Sequence, residues 1–190
     1  MEDGVLYIQS PKPGNSNKGS VVAIVSAPKD AISEMSISGN GDVAITGGFT
    51  SPTFKMDITG NGDVGADLVV SGAVTVQAGG NGDLDLVGSL GSLDLTDTGN
   101  GDIAVFGIKG DANVELEGNG DVFIGGSPQT VISGSQQGNG DLSYSGGSCT
   151  VKSEEYEDDD TCERDDRSPS KVSLPKPSAG SYLSGASVCA

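Results

Sequence analysis

Six aspartates recur behind one repeated tripeptide, and a row of carboxylates at constant spacing has chemical capacity. The copies are Gly39-Asn40-Gly41-Asp42, Gly60-Asn61-Gly62-Asp63, Gly80-Asn81-Gly82-Asp83, Gly99-Asn100-Gly101-Asp102, Gly118-Asn119-Gly120-Asp121 and Gly138-Asn139-Gly140-Asp141. Two chemistries compete for Asp42, Asp63, Asp83, Asp102, Asp121 and Asp141. In one they form calcium sites, because hard cations favour carboxylates and the carbonyls that glycine-rich turns expose. In the other each Asp accepts backbone N–H groups of its turn, while the Asn amides hydrogen-bond along their own column. Such bonds would offset the repulsion of stacked carboxylates, ~0.9 kcal/mol in bulk water for unit charges at the strand spacing of ~4.8 Å. The structural arrangement is the expected one. The calcium-binding solenoid repeat is Gly-Gly-x-Gly-x-Asp-x-apolar-x, and in Gly79-Gly80-Asn81-Gly82-Asp83-Leu84 the acid arrives one position early. No cofactor is expected.

A second grouping, Asp83, Asp85 and Asp102, converges on one face if the copies stack. Paired carboxylates are what glycoside hydrolysis requires. Residues 1–150 nevertheless contain no Arg and no His, and within the repeats the rings that could stack on sugars are only Phe49, Phe54, Phe106, Phe123 and Tyr144. The expectation is a protein without catalytic residues.

The elements that position the acids follow from periodicity. Successive Asn residues are 21, 20, 19, 19 and 20 positions apart. A turn motif at a constant phase of such a period means one unit copied and stacked. The pairs Asn40-Gly41, Asn61-Gly62, Asn81-Gly82, Asn100-Gly101, Asn119-Gly120 and Asn139-Gly140 read as tight turns whose residues tolerate positive φ. After each turn come two apolar residues spaced by two, from Val43 and Ile45 through Leu84 and Leu86 to Leu142 and Tyr144. A second alternating run precedes most turns, as in Met56 and Ile58 or Leu93 and Leu95. Both place their apolar members on one face of a strand. With 31 glycines and no long amphipathic period, helices are not expected.

Composition narrows the partners. The formal net charge is -17, and there is no His. No basic stripe exists to meet nucleic acid or an anionic membrane, and no apolar run is long enough to span a bilayer. The opening Met1-Glu2-Asp3-Gly4 is acidic where a secretory leader is basic. Three regions are expected: residues 1–38 as strands leading into the solenoid, residues 39–148 as the repeats, and residues 149–190 as an acidic, Ser/Pro-rich disordered tail. Two strand-like stretches, Val5-Leu6-Tyr7-Ile8 and Val21-Val22-Ala23-Ile24-Val25, lie in the first. Cys149, Cys162 and Cys189 fall in the last. Cys149 and Cys162 either close a disulfide loop around the acidic run or remain free thiols.

The repeats resemble the head GIN domain family of auto-transporter adhesins, which repeats Gly-Ser/Asn-Gly-Asp before an apolar residue at about this interval. Gly4-Val5-Leu6-Tyr7-Ile8 is similar to a strand of that family, and Ile37-Ser38-Gly39-Asn40-Gly41-Asp42 to its first repeat. The resemblance covers residues 3–148. It implies an all-β, right-handed parallel β-helix of about six coils at the cell surface or outside the cell, and no catalytic residues. It also implies further strands upstream. A surface protein or a polysaccharide is the expected partner, with a calcium-stabilised rod or a polysaccharide-active enzyme as alternatives.

Overall fold

Strands separated by glycine-rich turns can bury their apolar faces only by stacking, and the chain does so. In the computed structural model the described residues are 27–153 and 162–165. They form strands and turns, and among them no helix is long and apolar enough to cross a membrane. In chain order the strands are β1 (Glu34–Ile37), β2 (Val43–Ser51), β3 (Phe54–Ile58), β4 (Val64–Ala78), β5 (Leu84–Asp97) and β6 (Ile103–Ile108). Then follow β7 (Ala112–Leu116), β8 (Val122–Gly126), β9 (Val131–Gln136), β10 (Leu142–Ser145), β11 (Ser148–Ser153) and β12 (Cys162–Arg164). All twelve fall in one compact unit, Lys29–Pro175.

Every pairing is parallel and joins equivalent positions of successive copies. The result is a parallel β-solenoid of about six turns. One column of strands follows the Gly-Asn-Gly-Asp corner, with Val43, Val64, Leu84, Ile103, Val122, Leu142 and Cys162 in register. The other precedes that corner, with Phe54, Val74, Leu93, Ala112, Ile132 and Cys149 in register. β4 and β5 are long enough to run through both columns. The aliphatic files of the two columns meet inside: Met56, Ala66, Val76, Leu86, Leu95, Val105, Val114, Ile124 and Val151 are fully buried. The expected alternation thus decides which side chains form the core, because a strand has a side-chain period of two.

Two expectations need correction. The glycine of each Asn-Gly pair was expected to supply positive φ. Gly41, Gly62, Gly82, Gly101, Gly120 and Gly140 all lie outside that region, whereas Gly39, Gly88, Gly107 and Gly134 lie inside it. What requires glycine at the corner is close stacking. A Cβ on Gly101 would run into the carbonyl oxygen of Gly82, and one on Gly62, Gly82, Gly120 or Gly140 would meet the equivalent oxygen of the copy before it.

The repeats were also expected to stop at residue 148. That position lies in β11, and β12 adds a further strand, pairing Cys162 with Leu142 and Arg164 with Tyr144. Cys162 follows Leu142 at the repeat interval of 20, but Asp158-Asp159-Asp160-Thr161 replaces the tetrapeptide and hides the phase. Of the two cysteine readings, the structure contains the disulfide. Cys149 and Cys162 are bonded with Cα atoms 6.3 Å apart, tying the last described strand of one column to the last described strand of the other. Residues 5–8 and 21–25, most of the acidic run and Cys189 lie outside the described residues.

Candidate functional site

The Gly-Asn-Gly-Asp corner is an exposed, three-file lattice. Parallel stacking without register slips puts identical side chains above one another, which is the geometry an amide ladder needs. Each Asn donates from Nδ2 to Oδ1 of the Asn one copy earlier, from Asn61 to Asn40 through Asn139 to Asn119, at 2.5 to 2.8 Å. All five bonds point the same way. Beside this ladder, Oδ1 of each Asp accepts the backbone N–H of the next Asp, from Asp42 with Asp63 through Asp121 with Asp141, at 2.9 to 3.1 Å. A hydrogen bond to a charged acceptor contributes about 1.5–3 kcal/mol. That is enough to offset neighbour repulsion between carboxylates that stay in water.

The third file is glycine. Gly60, Gly80, Gly99, Gly118 and Gly138 each sit against the carbonyl oxygen of the first glycine in the copy before. The corner is therefore a backbone-to-backbone contact covered by two polar ladders.

The acidic grouping expected of Asp83, Asp85 and Asp102 is assembled. With Asp121, Ile103 and Ala104 they line an open groove of about 250 Å³ on the first column. Asp85 stands in the outward file between Gly65 and Ala104. Partial burial raises its pKa, and the charges of Asp83 and Asp63 raise it further. Such a group holds its proton to higher pH than a free carboxyl, and the groove favours cations electrostatically. Among the described residues no three Asp, Glu, Cys or His side chains converge closely enough to hold a metal ion.

Asp97 was missed. It occupies the interior file of Ile58, Ala78 and Leu116, and it is buried to 1% exposure. Gly99 N–H donates to its Oδ1 at 2.8 Å, and its Oδ2 has no hydrogen-bond partner. Burial raises its pKa and the Gly99 bond opposes the shift. Gln136 stands two strands further along the file, donating to the Gly140 carbonyl with its Oε1 unpartnered. In the sequence the one signal is that each stands three residues before its Asn, where most copies carry an aliphatic residue; that signal does not say that the polar side chain stays inside.

These features define a parallel β-solenoid with a continuous amide and carboxylate ladder along one corner. A family model described as "putative auto-transporter adhesin, head GIN domain" matches residues 1–148, and the chain belongs to that family. No curated protein and no solved structure matches the chain.

Proposed function

We propose that the chain is a non-enzymatic module of the cell surface or the extracellular space, acting in adhesion or as a rigid spacer. Membership of an adhesin head family supports this reading. So does the Cys149–Cys162 disulfide, since such bonds persist in oxidising compartments. The observation that carries it is the outer face of the second column. Glu34, Lys55, Thr75, Asp94, Asn113, Ser133 and Thr150 form one outward file, and Ser36, Asp57, Gln77, Thr96, Glu115, Ser135 and Lys152 the next. A regularly spaced polar surface suits many weak contacts with an extended partner, a surface protein or a polysaccharide.

The test is retention of beads carrying the full chain on surfaces coated with polysaccharides or cell-surface proteins. The expected result is retention above an uncoated control, equal in calcium and in EDTA, without release of reducing ends. Reducing ends that appear with the native chain and vanish with Asp85→Asn would replace this reading with an enzymatic one. Retention lost in EDTA would replace the spacer by a calcium-dependent rod.

A further inference from the structure

The six Gly-Asn-Gly-Asp copies share one local sequence, and all six Asn side chains are exposed. Their surroundings differ. Asn61, Asn81, Asn100 and Asn119 each hold two ladder bonds, accepting through Oδ1 and donating through Nδ2. Asn139 donates to Asn119 and accepts no ladder bond among the described residues. Asn40 is the reverse: its Oδ1 accepts from Asn61 at 2.6 Å, and its Nδ2 has no hydrogen bond among the described residues. Among the described residues no earlier copy stacks on the backbone around it. A Cβ placed on Gly39 or Gly41 would find nothing within 4 Å, whereas every later glycine of the corner except Gly79 faces the backbone of the copy before it.

We propose that Asn40 is a site of spontaneous covalent modification, in which Gly41 N attacks the Asn40 side chain and water completes its conversion to aspartyl or isoaspartyl. The Gly41 backbone nitrogen gives up its proton and bonds to Asn40 Cγ. The tetrahedral adduct carries its negative charge on Oδ1. The Cγ–Nδ2 bond then breaks, and ammonia leaves with the proton. Water opens the resulting five-membered imide at either carbonyl. No electron is transferred.

The ladder's polarity selects Asn40 at both bond changes. The Asn61 amide already donates to the oxygen on which charge develops, as an oxyanion-stabilising donor does. The departing nitrogen holds no hydrogen bond among the described residues. At Asn139 the arrangement is inverted: the departing nitrogen is bonded, and no described residue donates to the carbonyl oxygen. At the four inner positions the ring can close only after a ladder bond from Nδ2 is broken and the stacked turn moves. The product also fits only at Asn40. A carboxylate there accepts a stronger, charge-assisted bond from Asn61, whereas a carboxylate at any later position cannot donate to the Asn before it. The modification therefore adds a negative charge to the end of the corner and leaves the remaining ladder intact.

Site-resolved peptide mapping of the full chain, incubated at mildly alkaline pH in ¹⁸O-water, tests this. In urea the six identical tetrapeptides should react at similar rates. In the folded protein Asn40 should react first, with Asn61, Asn81, Asn100 and Asn119 about tenfold slower or more, the equivalent of one net hydrogen bond. Gly41→Ala, whose added methyl meets no described atom within 4 Å, should melt like wild type and suppress the ¹⁸O label at Asn40. An inner Asn reacting as fast as Asn40 in the folded chain would overturn the proposal. So would undiminished label at Asn40 in Gly41→Ala.

Discussion

The two corners of the solenoid solve the same problem differently. Between the second column and the first, the chain turns through Gly-Asn-Gly-Asp with no change in length. Ile37, Ile58, Ala78, Asp97, Leu116 and Gln136 each stand three residues before their Asn, and the next strand starts three residues after it. At the opposite corner the lengths vary. From Val43, Val64, Leu84, Ile103 and Val122 to their partners in the second column the steps are 11, 10, 9, 9 and 10 residues. These steps account for the whole variation of the repeat, and the register shifts lie here, as between Ile45 and Phe49 or Leu86 and Leu90. Gly88, Gly107, Gly134, Gly146 and Gly147, all with positive φ, belong to this half of each turn or to the strands beside it. A ladder of identical side chains needs constant spacing, so length changes survive only where no ladder runs.

The largest effect that could break this contrast is Gly101→Val. Its Cβ has no room beneath the Gly82 carbonyl, so it should destabilise the chain by about 4 kcal/mol or more, with loss of the main thermal transition. A wild-type melting curve would show that the corner is not closely stacked. Asn100→Ala removes one bond to Asn81 and one from Asn119, and should cost about 1–3 kcal/mol in urea denaturation.

Asp97→Asn sharpens the comparison from inside. The folded-state pKa of Asp97 is raised, so the native state binds more protons than the unfolded chain. Its contribution is fully present below the unfolded value near 3.8 and is lost as pH rises through the raised value. The neutral variant should therefore be more stable than wild type at pH 7, by about 1 kcal/mol, with the gain vanishing near pH 3. Melting temperatures across that range, wild type against variant, give the sign directly. The smallest effect belongs to the variable corner. One glycine inserted after Lys109 should cost less than about 1 kcal/mol, whereas the same insertion after Gly101 should rival Gly101→Val.

Much of this was legible before any coordinates. The aliphatic pairs beginning at Val43, Val64, Leu84, Ile103 and Val122 declare their buried face by alternation alone, and the tetrapeptide declares the phase of the turn. The Asn ladder follows once the copies are stacked; the Asp row follows with it, but each Asp bonds the N–H of the next copy and not, as expected, those of its own turn. Three features were not legible. The corner glycines were attributed to backbone conformation when the neighbouring copy's carbonyl is the reason, a contact between residues about 20 positions apart. Asp97 reads as one more solvent acid until its file is known. The strand at Cys162 is hidden because the residues before it no longer match the repeat.

The amino-acid sequence alone determined that this chain repeats, that each copy supplies strands with one apolar face, and that a polar turn recurs at constant phase. Those properties are local, set by side-chain period and turn chemistry, and need no partner to be read. The tertiary structure alone decided which atoms meet between copies: the direction of the amide ladder, the exclusion of any Cβ at its glycines, the burial of Asp97 and the disulfide across the last strands. Each depends on the register between segments far apart in the chain, which backbone pairing sets and no single copy contains.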